Sequence, residues 1–507
     1  MGKQQNHKPM ANNEVKKLAG QTAIYGGTTV LSRLLNYLLV PLHTYLFSNA
    51  ADYGVVGELY AWTSLFIVIL TYGMETAFFK FSQDDEIKDR VYTTVVGSLL
   101  CTSTLFIVLC GIYSQPIADW LQYPNHPEYV RWFSVIIGVD ALTSIFFAHL
   151  RFLNKPLRFA AVKITNILVN VLLNLFFLLL CPWLLQKNPD SAFVNAIYSP
   201  EIGVGYIFIA NLVASVVTLL MLFPGILKQK FVFDWQLWKK MFRYAFPLLI
   251  LGLAGIVNET MDRVLIKRLS LAAEPQASVG IYSACYKISI MMTIFIQAFK
   301  YAAEPFFFRK AKDKDAKETY AEVMTAFVLV CSIIFVGIML YMDLVQYFVG
   351  ATYRVGLPIV PILLMANLFL GIFYNLSIWY KLTGQTKFGA YIALFGAAIT
   401  LVLNWILIPR FDYMGAAWTT FACYLSMMVV SYLLGQKYYH VDYDLKRILF
   451  YLFFAVAVYG LSCGVIRLFG IESMALRLVV NTVILIGYLA VLGLMNKEMV
   501  RGIIRRK

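Results

Sequence analysis

Charge is scarce in this sequence. Asp, Glu, Lys and Arg make up only 14% of its 507 residues, where a soluble domain carries about 25%. The charge that is present leans one way, with 43 Lys and Arg against 28 Asp and Glu, a net of +15. Every hydrophilic stretch is short, which excludes a soluble domain. Seven cysteines, Cys101, Cys110, Cys181, Cys285, Cys331, Cys423 and Cys463, all fall in apolar segments and form no C-x-x-C pair. Neither a disulfide framework nor a thiolate metal site is expected from them. The G-x-x-x-x-G-K-[ST], H-E-x-x-H and G-x-S-x-G patterns are missing, which argues against an ATP site, a zinc protease and a serine hydrolase. Short outer loops leave no room for the sugar-donor domain of a membrane glycosyltransferase. The expectation is therefore a protein that is not an enzyme and that uses no cofactor or metal. A basic folded surface is also lacking, so no nucleic acid is expected as a partner.

What is abundant is apolar surface, 60% of the residues. Runs of about 18 or more apolar residues, long enough to cross a bilayer, recur throughout. They predict an all-α integral membrane protein of about fourteen transmembrane helices. The spans fall near 18–47, 53–79, 92–113, 129–150, 159–185, 201–226, 244–268, 278–303, 319–342, 356–380, 388–409, 413–436, 447–467 and 476–495. Gly26, Gly27, Pro41 and Pro247 are candidate kink sites. Residues 1–17 lack the apolar core and cleavage site of a signal peptide, so the first helix is expected to remain in the mature chain. With charges at span ends counted in the adjoining loop, one side of the membrane holds 31 Lys and Arg and the other 8. The positive-inside rule puts both termini in the cytoplasm.

The chain repeats itself. Ala51-Asp52-Tyr53-Gly54 to Tyr60 resembles Ala277-Ser278-Val279-Gly280 to Tyr286, an offset of 226. Arg158-Phe159-Ala160 and Asn174 are echoed by Lys387-Phe388-Gly389 and Asn404 at offsets of 229–230. Six spans per copy keep both copies the same way up, which predicts two lobes in parallel repeat with the substrate path between them. The expected divisions are a cytoplasmic tail (1–17), an N-terminal lobe (18–226, helices 1–6), a C-terminal lobe (227–436, helices 7–12), and two extra C-terminal helices with a cytoplasmic tail (437–507).

A charge at the centre of a span costs about 2.5–3.5 kcal/mol on insertion scales and normally faces a cavity. Arg33 lies mid-way along the first span, too deep to snorkel. It reads as an anion-binding cation or as the structural partner of Asp140 in the fourth span. Asp140 reads equally as a coupling-ion or proton site. Glu259, Asp262 and Arg263 stand at i, i+3 and i+4 on the seventh span and share a face. Glu259 and Lys287 of the eighth span fall at similar depth, which suggests a salt bridge. The cluster reads as a structural network or as a phosphate site that changes pairing during transport. Glu58, Glu75, Lys163, Lys300 and Glu304 lie near span ends and read as snorkelling or capping residues.

Three stretches carry a family resemblance. They are Tyr25-Gly26-Gly27 through Ser32-Arg33-Leu34-Leu35-Asn36 to Leu42, then Asp52-Tyr53-Gly54 with Gly73-Met74-Glu75, then Tyr244-Ala245-Phe246-Pro247 through Asp262-Arg263 to Gly280-Ile281-Tyr282. In these the chain resembles the bacterial polysaccharide (O-antigen-type) oligosaccharide flippases of the multidrug/oligosaccharidyl-lipid/polysaccharide (MOP) exporter superfamily. The resemblance implies a secondary transporter of the bacterial inner membrane. It would flip undecaprenyl-pyrophosphate-linked oligosaccharide from the cytoplasmic to the periplasmic leaflet for cell-surface polysaccharide or lipopolysaccharide synthesis. Membrane lipid and polysaccharide assembly proteins would be its partners. A lipid II flippase is the alternative, and a multidrug exporter a further one. Arg33, Arg263 and Lys287 are the expected substrate-binding residues. Asp140, Glu259 and Asp262 are the expected coupling or gating residues, with H+ or Na+ as coupling ion.

Overall fold

The computed structural model describes residues 12–84, 86–225, 230–311 and 313–496, and no strand occurs among them. The tails before residue 12 and after 496, parts of the two predicted cytoplasmic tails, lie outside the described residues. In lipid, backbone N–H and C=O groups have no water to bond, so an isolated apolar segment must close its hydrogen bonds within itself as a helix.

The chain begins with α1 (Asn12–Tyr37), α2 (Leu39–Leu46), α3 (Ala50–Thr71), α4 (Met74–Phe81), α5 (Lys88–Ile112), α6 (Ser114–Trp120) and α7 (Pro127–Phe152). It continues through α8 (Pro156–Leu175), α9 (Cys181–Lys187), α10 (Ala192–Ile197), α11 (Gly205–Leu222), α12 (Trp235–Leu269), α13 (Pro275–Lys310) and α14 (Ala316–Leu340). The remainder is α15 (Met342–Val345), α16 (Ile359–Leu376), α17 (Ile378–Leu382), α18 (Lys387–Tyr438), α19 (Leu445–Leu468) and α20 (Met474–Met495). Among the described residues, twelve helices are long and apolar enough to cross a membrane. One of these, α18, is two predicted spans joined at Asp412, whose backbone leaves helical geometry at φ 50°, ψ −136°. The first predicted span corresponds to α1 and α2.

Breaks in the spans have local causes. Between α1 and α2 the helix is interrupted at Leu38, three residues before Pro41, whose missing N–H and bulky ring disrupt the turn before it. The second span breaks between α3 and α4 at Tyr72 and Gly73, both at positive φ. Gly73 is also pressed close to α12, where a Cβ would lie 2.8 Å from the Ala245 carbonyl oxygen. Pro247 sits inside α12, which continues through it.

Contacts divide the chain into two compact units, one of Met1–Leu39 with Leu59–Leu253 and one of Val40–Glu58 with Ala254–Lys507. The division therefore runs through α12 rather than through the loop before it, and α19 and α20 belong to the second unit. The first half of α12 presents Leu237, Met241 and Ala245 at i, i+4 and i+8 to the core of the first unit. There they join Met74, Phe78, Val91, Val95, Leu99 and Ile145. The Trp238 indole N–H donates to Ser98 Oγ at 2.6 Å, so this half-helix is fixed by a polar bond as well as by apolar packing.

Candidate functional site

The second half of α12 and the first turns of α13 carry the densest buried charge of the second unit. Asp262 and Arg263 are buried, at 4% and 9% exposure. Asp262 is saturated with donors. Arg263 gives its backbone N–H at 2.8 Å and Nη1 at 3.0 Å, and the Tyr282 hydroxyl donates to the other carboxylate oxygen. Arg263 Nη1 also donates to the Glu259 carbonyl at 3.3 Å. The guanidinium lies 4.5 Å from the Tyr286 ring centre and 5.6 Å from that of Tyr282. Such stacking is attractive when the cation is shielded from water. Asn258, one turn earlier, fixes the helix in place. Its Nδ2 donates to the Ala393 carbonyl, its Oδ1 accepts from Thr400, and its own carbonyl accepts from Tyr424, each at 3.2 Å.

Lys287 is half-buried beside this cluster, within the field of the Arg263 guanidinium. Among the described residues it makes no ion pair. The expected Glu259–Lys287 bridge is thus absent. Glu259 is exposed and also makes no ion pair among the described residues. Asp262 of α12 instead meets Tyr282 of α13. Sequence spacing gives a helix's phase but not which side faces a neighbour. Two cations therefore lie within each other's field, and one acid, Asp262, is already committed to Arg263.

In the first unit, Arg33 is exposed and makes no ion pair among the described residues, so it is not the partner of Asp140. Its neighbour Asn36 accepts from Asn170 Nδ2 at 3.5 Å. Asp140 has other company, a hydrogen bond with Ser215 and the charge of Lys163. Lys163 is half-buried. It lies 4.2 Å from the Phe147 ring centre and feels the Glu75–Arg151 ion pair in turn. Glu75 and Lys163 are therefore members of a connected charge network rather than snorkelling ends. Glu304, another presumed end residue, pairs with Lys381 at 2.8 Å.

The second unit also holds an ion pair that the sequence does not predict. Glu58 and Lys267 meet at 2.7 Å with side-chain exposures of 0% and 4%. Glu58 lies near a predicted span end, where snorkelling is expected, yet it is buried. What buries the pair is the close approach of α3 and α13. A Cβ on Gly54 would lie 2.0 Å from the Gln276 carbonyl oxygen, and one on Gly280 would lie 1.9 Å from that of Ala50. Ala50 and Gln276 differ by 226, as do Gly54 and Gly280, so the two contacts are one contact seen from both repeats. A Cβ on Gly57 would lie 2.2 Å from the hydroxyl of Ser283, its own repeat mate. The internal repeat thus meets itself here about a local two-fold axis. The signal in the sequence was the Gly54-x-x-Gly57 spacing one residue before an acid, since a helix face that tight leaves the acid no route to water.

A family model described as "polysaccharide biosynthesis protein" matches residues 18–311. The chain belongs to the polysaccharide biosynthesis protein family. No curated protein matches it by sequence. Among solved structures, the lipid II flippase MurJ in an inward closed conformation is similar at a TM-score of 0.69 and 15% identity, over 93% of this chain and 98% of that one. An inward-facing multidrug resistance MATE transporter of the MOP superfamily is similar at 0.64 and 13% identity, over 80% and 94%. Its outward-facing counterpart reaches 0.55 at 15% identity, over 83% and 94%. At these identities the likeness is one of fold. Family, fold and twelve apolar helices among the described residues together describe a multi-pass membrane protein of the polysaccharide biosynthesis protein family.

Proposed function

We propose that the chain is a secondary transporter that flips undecaprenyl-pyrophosphate-linked oligosaccharide from the cytoplasmic to the outer leaflet of the bacterial inner membrane by alternating access. The observation that carries this reading is Lys287. A half-buried ammonium next to a buried guanidinium, with no carboxylate in contact among the described residues, is costly unless an anion arrives to meet it. A pyrophosphate would supply that anion, and the family's description as polysaccharide biosynthesis proteins supports a glycan cargo. Arg263 offers forked donors and Lys287 a point charge. Arg33, exposed and without an ion pair among the described residues, is the third contact in this proposal. Asp140, Glu259 and Asp262 would respond to H+ or Na+. Asp140 would do so through its coupling to Lys163, and Asp262 by exchanging Arg263 for Tyr282 as its main partner. The 31 Lys and Arg on one side, against 8 on the other, support cytoplasmic termini. Membrane lipid and polysaccharide assembly enzymes would be its neighbours.

The test is glycan export in cells depleted of the native protein. Lys287→Ala and Arg33→Ala should abolish export at unchanged membrane abundance, and Lys287→Arg should restore part of it. Normal export from both alanine variants would sink the assignment. The MurJ match, which covers more of the chain than the MATE matches, favours one second reading, transport of lipid II. Rescue of a lipid II flippase depletion by this chain would select it over the first.

A further inference from the structure

A cavity of about 490 Å³ lies within the second unit, away from the charge cluster of α12 and α13. The ends of α14 and α19 and the starts of α15 and α20 enclose it. Its floor is apolar, with Met339, Ile466 and Ile471. Its rim carries two guanidiniums, Arg467 and Arg477, and two carboxylates, Asp343 and Glu472. Such a balance is unusual in a chain of net charge +15.

The rim groups are not used up on one another. Arg477 spends Nε on the Ile471 carbonyl at 2.7 Å and reaches Asp343 only at 3.7 Å. Arg467 and Glu472 are exposed and make no ion pair among the described residues. The wall between rim and floor is rigid. Asn481, 3% exposed, donates to the Leu340 carbonyl at 2.7 Å and accepts from the Ser462 hydroxyl. That bond ties α20 to α14 and α19, so the cavity is a fixed feature of the packing.

We infer that this cavity binds the headgroup of a phospholipid bearing a primary amine. The phosphate would lie on Arg467 and the free donors of Arg477, and the ammonium on Glu472 and Asp343. The apolar floor would take the glycerol and first methylenes. Acyl chains would run down the lipid-facing side, where Leu468, Phe469 and Leu476 are 80%, 72% and 50% exposed. A purely anionic headgroup would leave Glu472 facing it uncompensated. A quaternary amine could not donate hydrogen bonds to the carboxylates, and one ring, Tyr459, is too few for an aromatic cage. The site does not depend on the cargo proposed above. Which leaflet it faces follows from the topology, and the charge bias makes it the outer one.

Native mass spectrometry of the full-length protein in detergent tests this. The protein is offered equal amounts of phosphatidylethanolamine, phosphatidylcholine and phosphatidylglycerol. One phosphatidylethanolamine should be retained in preference to the others. Arg467→Gln should weaken its retention about tenfold, and Glu472→Gln should erase the preference over phosphatidylglycerol. Both side chains are exposed, so neither change threatens the fold. A second readout is Cys463, which is exposed and lines the cavity. In a Cys101→Ser, Cys110→Ser background, phosphatidylethanolamine should slow its labelling by a maleimide. Equal retention of the three lipids, or a preference untouched by both variants, would overturn the inference. Displacement of the lipid by millimolar inorganic phosphate would also overturn it, because the site would then be one for free phosphate.

Discussion

Two kinds of buried charge coexist in the second unit, and they should respond oppositely to mutation. Glu58 and Lys267 form a closed pair at 2.7 Å. Removing one partner strands the other in a low-dielectric environment at a cost of about 3–5 kcal/mol, whereas replacing both with apolar residues is often neutral for stability. Glu58→Gln or Lys267→Met should therefore lower the melting temperature in detergent by several degrees. The double variant Glu58→Met with Lys267→Met should recover most of that loss. If the double variant melts as low as the worse single, the pair is not acting as a unit. Lys287 has no acid to strand, so Lys287→Ala should leave the melting temperature unchanged or raise it while export is lost. A drop of several degrees in that variant would mark Lys287 as structural. The separation of stability from function distinguishes the two sites, and no count of charged residues could do so.

At the scale of helices, the crossing of α3 and α13 is the tightest constraint in the chain. Backbone meets backbone at Gly54 and Gly280, with Cβ positions near 2 Å from a carbonyl oxygen. No rotamer change relieves a clash with backbone, so the helices themselves would have to part. Gly280→Leu should prevent this corner from closing, and it should expose the Glu58–Lys267 pair to water. The expected result is loss of the folded protein or a melting temperature far below wild type, beyond the roughly 1–3 kcal/mol of ordinary overpacking. Gly255, on α12, has open space around its missing Cβ, and Gly255→Ala should be tolerated. Equal effects from the two substitutions, measured side by side by thermal melting, would contradict the crossing. The same corner is tied further on, where the Tyr353 hydroxyl donates to the Phe47 carbonyl at 2.7 Å and the Gly350 N–H to Thr44 Oγ1 at 3.1 Å. In α18, Asp412 adopts a backbone region that favours glycine, and its carboxylate accepts from the Ser278 hydroxyl. That side-chain bond gives a reason for Asp where Gly would be less strained.

For the molecule as a whole, the testable quantity is its orientation. The 31-to-8 division of Lys and Arg predicts that reporters fused to either terminus are active in the cytoplasm. A reporter inserted in the loop at Asn188–Ser191, between α9 and α10, should be active only outside. Fusions report each crossing separately, so an odd number of true spans would show as termini on opposite sides. A cytoplasmic signal from the Asn188–Ser191 insertion would reverse the proposed direction of the whole chain. The number of crossings rests on two independent signals, apolar length and loop charge, that alternate in step.

The sequence by itself determined that the chain is helical, that it crosses the membrane many times, and that it repeats with an offset near 226. Each of these is a local sum, of apolar length, of loop charge, or of matched residues at one spacing. It also placed Glu259, Asp262 and Arg263 together, because spacings of three and four residues put side chains on one helix face. Only the tertiary structure decided which charges are paired. Glu259 and Lys287 share a depth but not a partnership, and Arg33 and Asp140 are not joined. Glu58 and Lys267, 209 residues apart, form the most deeply buried pair described. Pairing depends on the azimuth at which one helix meets the next, and that is set by close packing such as Gly54 against Gln276. The division of α12 between two units has the same origin, since a continuous apolar helix gives no sign of which neighbours each half will choose.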